Sequence, residues 1–280
     1  MLHVVHHPLY TGPPAPGSSF PHDKYGMVML ALAEGCAALV RHTPDPIPRA
    51  WLDAVHDPAY VDQVLAHAVP PDKERRIGFP VTPHVARRSQ LSVGGTWRAA
   101  KLALAHGYAA NSAGGSHHAL YDTGAGYCVF NDLAVAANRL IAEGDARRIL
   151  ILDLDVHQGD GTAALTRAHD DIFTLSVHAE KNFPARKAVS SLDVGLPDGT
   201  KDGSYLSTLR DVLPRALDGF APDLILYQAG VDTHGGDRLG RLALTHEGLD
   251  ARERIVAAAA PDLNFTVVKA GDVHTVGPFE

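Results

Sequence analysis

Two aspartates and a histidine stand at the end of one of the most hydrophobic runs of the chain. Ile149, Leu150, Ile151 and Leu152 lead directly into Asp153, Asp155 and His157. Such a run reads as a strand in a sheet covered on both faces. An unpaired carboxylate buried at its end would cost several kcal/mol or give up its charge. Residues two apart on an extended strand point to the same face, so Asp155 and His157 can reach one ion at the strand's carboxyl end. A second apolar run, LILYQAGVD, ends in Asp232 and can lie beside the first. Three ligands of O, N and O type with a fourth position open are the pattern of a catalytic rather than a structural zinc, and the lack of a cysteine ligand fits a hydrolytic site. The competing readings are helix capping by Asp155 and His157 ahead of GDGT, and an Asx turn at Asp232.

The segment GGSHHAL carries His117 and His118 side by side behind two glycines. A solvated pair of loop histidines is one reading. The other is an acid/base pair facing the same ion, which amide hydrolysis requires. Each histidine then needs a carboxylate to set its tautomer, and Asp153 and Asp160 are the spare acids nearby. His6 and His7 form a weaker cluster beside the first apolar run, where a surface or edge role is expected.

These side chains need a frame to hold them. The chain has 280 residues, 45% hydrophobic and 20% charged, an ordinary globular composition that can bury a sizeable core. A net charge of −7, with no Lys/Arg cluster longer than a pair, argues against direct nucleic-acid binding. Cys36 and Cys128 are too few for a disulfide framework, so a reducing, cytoplasmic setting is expected. The start MLHVVHHPLY has no signal-peptide pattern, and the longest apolar stretch, MVMLALAEGCAALV, is too short for a bilayer and contains Glu34; no membrane role is expected. After a Gly- and Pro-rich opening to about Phe20, helices are expected over DKYGMVMLALAEG, in short pieces broken by Pro58, and over VARRSQLSVGGTWRAAKLALAHG. Gly94 and Gly95 in the last of these mark a break or a close packing contact. From LAVAANRLIAEG onward helices and strands alternate, with strands at RRILILDLDV, DIFTLSVH, PDLILYQAG and LNFTVVKAG. That order predicts an α/β fold, single-domain, with a mostly parallel sheet flanked by helices and ligands outside the carboxyl ends of the strands.

Five motifs in one order, GGSHHA, GYCVFNDLAVAA, ILDLDVHQGDGTA, TLSVHAEKNFP and AGVDTHGGDRLGRLALTHEGL, resemble the zinc-dependent histone deacetylase superfamily. The opening HHPLYTGPPAPGSSFPHDKYGMVMLALAEG and LPDGTKDGSYL look most like its bacterial class IV-like members. The resemblance implies the arginase/deacetylase fold and one catalytic domain over 1–280. It implies Asp155, His157 and Asp232 as ligands of one Zn2+ or another divalent metal. His117 and His118 match the tandem histidines, with Asp153 and Asp160 behind them and Asp160 paired with His118. Gly126 and Tyr127 match the substrate tunnel, with Phe183 as its opposing wall. Asp153, Ser176 and nearby carbonyls resemble a K+ site.

The activity so implied is removal of an acyl group from an N-acyl amine, acyl-lysine or an acylated polyamine. In that mechanism zinc polarises the carbonyl and activates water, while one of the histidines, assigned as His118, takes the water's proton and later protonates the leaving amine. The sequence departs from the family after about residue 260. The family's Gly-Gly-x-Tyr-like turn, whose hydroxyl holds the oxyanion, is replaced by LNFTVVKAGDVHTVGPFE, which contains no tyrosine. Loss of one oxyanion donor costs about a hundred- to a thousandfold in rate, so slow turnover of unactivated amides is expected. His274 is the only side chain of the tail that could replace the donor. A zinc-holding pseudoenzyme that binds acylated ligands and a binuclear manganese ureohydrolase are the rival readings. A lone Asp232 in the second motif fits one metal better than two.

Overall fold

The computed structural model describes residues 1–12, 21, 23–36, 38–259 and 263–268. The two long apolar runs become β4 (Ile149–Asp153) and β7 (Leu224–Gln228), every residue of which is buried. Alternation explains why neither run alternates in polarity. Ile149 and Ile151 pack with Leu133 and Leu140 on one face, and Leu150 and Leu152 pack with Leu209 and Leu213 on the other. Both faces are therefore covered, as a parallel sheet requires.

Among the described residues eight strands form one sheet. The others are β1 (Leu2–Val5), β2 (Leu39–His42), β3 (Tyr108–Asn111), β5 (Ile172–Ala179), β6 (Leu192–Leu196) and β8 (Asn264–Val268). Their order is β2-β1-β3-β8-β7-β4-β5-β6, and all the pairings are parallel. The expected strand LNFTVV joins the sheet between β3 and β7, where its apolar residues find cover. The residues after it, with His274, lie outside the described residues.

Helices α1 (Lys24–Gly35), α2 (Arg49–Asp53), α3 (Pro58–Leu65), α4 (Pro71–Ile77) and α5 (Pro83–His106) precede β3; α6 (Asp132–Glu143), α7 (Asp160–Thr166), α8 (Asp202–Phe220) and α9 (His246–Ala259) alternate with the strands after it. Pro58 opens α3 rather than breaking a helix, because its missing N–H is an orphan donor at the first helical position anyway. Helix α5 runs unbroken through Gly94 and Gly95. A Cβ on Gly94 would stand 2.2 Å from the Asp45 carbonyl, and one on Gly95 would stand 2.2 Å from the Tyr10 hydroxyl, so both glycines serve close packing. No helix among the described residues is long and apolar enough to cross a membrane.

Candidate active site

Strands β4 and β7 are neighbours in register, Asp153 opposite Gln228, so the loops leaving their carboxyl ends run side by side. That adjacency brings Asp155, His157 and Asp232 together. One ligand atom from each lies within 4.8 Å of the others. His157 Nδ1 is 3.0 Å from Asp155 Oδ1 and 3.2 Å from Asp232 Oδ2. Backbone donors fix the carboxylates: the N–H of His157 donates to Asp155 Oδ1 and that of Val156 to Asp232 Oδ1, both at 2.9 Å. Gly230 lets the β7 loop pass over the β4 loop, since a Cβ there would be 2.5 Å from Asp155 Cα.

The donor set fits a divalent metal. Two buried carboxylates face one imidazole nitrogen, an arrangement that demands a positive charge between them. Burial and the Asp155 charge push the Asp232 carboxyl up to about 7. Burial opposes the charge on Asp155, but His117 and His157 outweigh it and hold that carboxyl well below the usual range.

His117 and His118 face the same cavity, their ring centres 3.9 Å apart. His117 Nδ1 is hydrogen-bonded to Asp153 Oδ2 at 2.8 Å and His118 Nδ1 to Asp160 Oδ1 at 2.7 Å. Each histidine thus has its own carboxylate, which leaves Nε2 as the atom able to take or give a proton. Burial opposes a charge on His117, but Asp153 and Asp155 raise it to about 9; burial, aided by His117, lowers His118 to about 4 against the pull of Asp160. His117 Nε2 is 3.8 Å from Asp155 Oδ1.

Gly126, Tyr127 and Phe183 line the cavity, whose volume is about 430 Å³. The Phe183 ring meets His118 edge-on at 4.8 Å and His157 at 6.3 Å. Gly126 has φ +51°, and a Cβ there would stand 2.7 Å from His118 Cδ2, so this position needs glycine twice over. Ser176 pairs with Asp153 across β4 and β5, and its hydroxyl is 2.9 Å from His178 Nδ1. His6 and His7 lie elsewhere: His6 Nδ1 is hydrogen-bonded to Ser112 Oγ at 2.7 Å, and His7 Nδ1 accepts the Leu9 N–H.

Several supporting residues are not among the candidates that the sequence reading singles out. Asp132 is buried at the start of α6 and accepts from Thr96 Oγ1 and from the N–H groups of Gly115 and Ser116, which pins the glycine-rich loop. Asn131 caps α6 through the Ala134 N–H and donates to the carbonyls of His117 and Ala119. Arg252 of α9, fully buried, donates to the carbonyls of Leu154 and Gly230 and so ties the two ligand loops together. Asn182, Arg88 and Lys24 line the cavity from segments remote in sequence. The adjacent Asn-Asp at a helix start was the one legible clue among these.

His56 braces the loop from behind. Its Nδ1–H donates to the Leu120 carbonyl at 2.8 Å and its Nε2 accepts the Asn131 N–H at 3.0 Å, which requires the neutral ring. Burial lowers its pKa from 6.5 to about 4. A depressed histidine pKa adds stability that is complete above the unfolded value and is lost as pH falls toward the folded one. The loss should therefore develop between 6.5 and about 4 and total about 3 kcal/mol. Urea unfolding of the wild type and His56→Gln across that window checks this. Equal pH slopes in the two proteins would refute it.

The profile of the histone deacetylase domain matches residues 19–272. An uncharacterised protein of Picosynechococcus sp. is 47% identical over 266 residues, covering 94% of this chain and 89% of that protein. Histone deacetylase 2 of Arabidopsis thaliana is 33% identical over 194 residues, covering 68% of this chain; the chain spans 50% of that relative's length. The acetylpolyamine aminohydrolase of Burkholderia pseudomallei shares the fold, with a TM-score of 0.80 at 23% identity, covering 98% of this chain and 94% of that one. A profile match over most of the chain and a shared arrangement of strands and helices lead to one conclusion: the chain belongs to the histone deacetylase superfamily, as a bacterial-type member.

Proposed function

We propose that the protein is a zinc-dependent hydrolase that removes the acyl group from an N-acyl amine. The observation that carries the reading is the meeting, in one cavity, of a three-ligand O, N, O set with two separate histidine–carboxylate pairs. Asp155, His157 and Asp232 hold the metal. When bound, it supplies a Lewis acid for the amide carbonyl and lowers the pKa of water. His118, oriented by Asp160, takes a proton from the attacking water at Nε2 and returns one to the leaving amine. His117, oriented by Asp153, stands beside it and donates to the developing oxyanion. Gly126, Tyr127 and Phe183 enclose the acylated side chain and limit water at the reacting carbon. Asp153 and Ser176 are proposed to bind K+ at the β4–β5 strand ends, where the ion would stiffen the support under His117.

The test is hydrolysis of a panel of N-acyl-lysine peptides and N-acetylated polyamines by protein loaded with Zn2+, with metal counted per chain. Amine release that stops on chelation, with about one metal per chain, is expected. Two metals per chain with release of urea from a guanidino substrate would replace this reading with the ureohydrolase one.

A further inference from the structure

Phe183 lines the cavity 44% exposed, yet its backbone is held on both sides. Lys187 Nζ donates to the carbonyl of Asn182 at 2.5 Å and to that of Pro184 at 2.7 Å. A single ammonium thus binds the residues immediately before and after the phenylalanine. Hydrogen bonds from an ionised donor are roughly twice as strong as neutral ones. A lysine suits the task because its ammonium turns three donors in different directions, whereas those of a guanidinium lie in one plane. Asn182, 8% exposed, ties the same segment to the loop after Asp232. Its Nδ2 donates to the Leu239 carbonyl at 2.9 Å, and its Oδ1 accepts the Phe183 N–H at 2.7 Å. The far end of the segment is joined to the loop of His157. Gln158 accepts the Ala188 N–H at 2.9 Å and donates to the Ala188 carbonyl at 3.0 Å. Among the described residues Phe183 packs in none of the hydrophobic clusters, and the rings it meets are those of His118 and His157. Restraints this dense around an exposed ring do not serve the core; they serve whatever enters the cavity.

We infer that Lys187 is a positioning residue for substrate binding: it fixes Phe183 as a rigid wall against which the aliphatic chain leading away from the reacting amide packs. This rests on the acyl-amide reading above and adds a residue to it. A ring that is already ordered spares the substrate the entropy of ordering it on binding. Lys187 touches neither the metal ligands nor the histidine–carboxylate pairs, so its effect falls on binding of the chain rather than on the breaking of the amide bond.

The experiment measures, by calorimetry on Zn2+-loaded protein, the dissociation constants of acetohydroxamate and hexanohydroxamate. Both carry the same metal-chelating head and differ in the chain that must pass Phe183. In the wild type the longer probe should bind about tenfold or more tighter. Lys187→Met, which keeps the reach of the side chain and removes its donors, should lose most of that ratio, as should Phe183→Ala. The double variant should lose no more than Phe183→Ala alone, since a residue that acts through another adds nothing once the other is gone. Because the ratio is taken within each protein, a change in the folded or metal-loaded fraction cancels. On an Nε-acetyl-lysine peptide, Lys187→Met should raise KM by about the factor lost from the ratio, with kcat changed far less. A wild-type ratio in Lys187→Met, losses that add in the double variant, or equal binding of the two probes by the wild type would overturn the inference and leave the acyl-amide reading standing. Failure of both hydroxamates to bind the Zn2+-loaded wild type would overturn that reading and the inference with it.

Discussion

Asp232→Asn should leave the purified protein with almost no bound divalent metal and should lower amide hydrolysis by about a thousandfold, equivalent to about 4 kcal/mol of transition-state stabilisation. The substitution is chosen for what it keeps. Asp232 Oδ1 accepts the Val156 N–H at 2.9 Å, and an amide oxygen can accept it equally well. What changes is the atom facing His157, at 3.2 Å, which exchanges a carboxylate charge for a neutral amide. Folding is thereby separated from metal binding. Metal analysis of the purified variant, alongside its unfolding midpoint and its rate, makes the check. Wild-type metal content in a folded Asp232→Asn protein would exclude this residue as a ligand and with it the three-ligand set.

His118→Ala should lower turnover by about a hundred- to ten-thousandfold while metal content stays near that of the wild type. The ring of His118 stands 5.8 Å from that of His157, and its own partner, Asp160, is outside the ligand set. His117 is a poorer choice for this test, because its Nε2 lies 3.8 Å from Asp155 Oδ1 and its loss would disturb a ligand as well. Rates and metal content measured on the same preparation decide between a proton-transfer role and a structural one. Equal fractional losses of both would assign His118 to the framework.

Asp155, His157 and Asp232 stood out in the sequence because charged residues directly after fully apolar runs contradict burial unless something compensates them. The same logic found β4, β5, β7 and β8, whose interior positions are almost all buried. It did not find β2 or β6. These are edge strands with half-exposed patterns, so neither shows the unbroken apolar run that marks the central strands. Helix α4 escaped for a similar reason: it is seven residues long, with a single buried side chain, Ile77. The tandem histidines were visible as a pair and Asp153 and Asp160 as spare acids; which acid serves which histidine came from the resemblance and not from the residues, since the partners lie 36 and 42 residues away.

By itself the sequence determined the parallel α/β class, the positions of the central strands and the candidate residues for binding a metal and moving a proton, because these follow from local polarity and residue chemistry. The tertiary structure alone decided that β7 lies directly against β4, that Arg252 ties together the two loops carrying the candidate ligands, and that Lys24 and Arg88 share a cavity with Asp155. Those outcomes depend on strand order and on which helix covers which strand end. Local propensity does not encode them, because they arise only when the whole sheet has buried both of its faces.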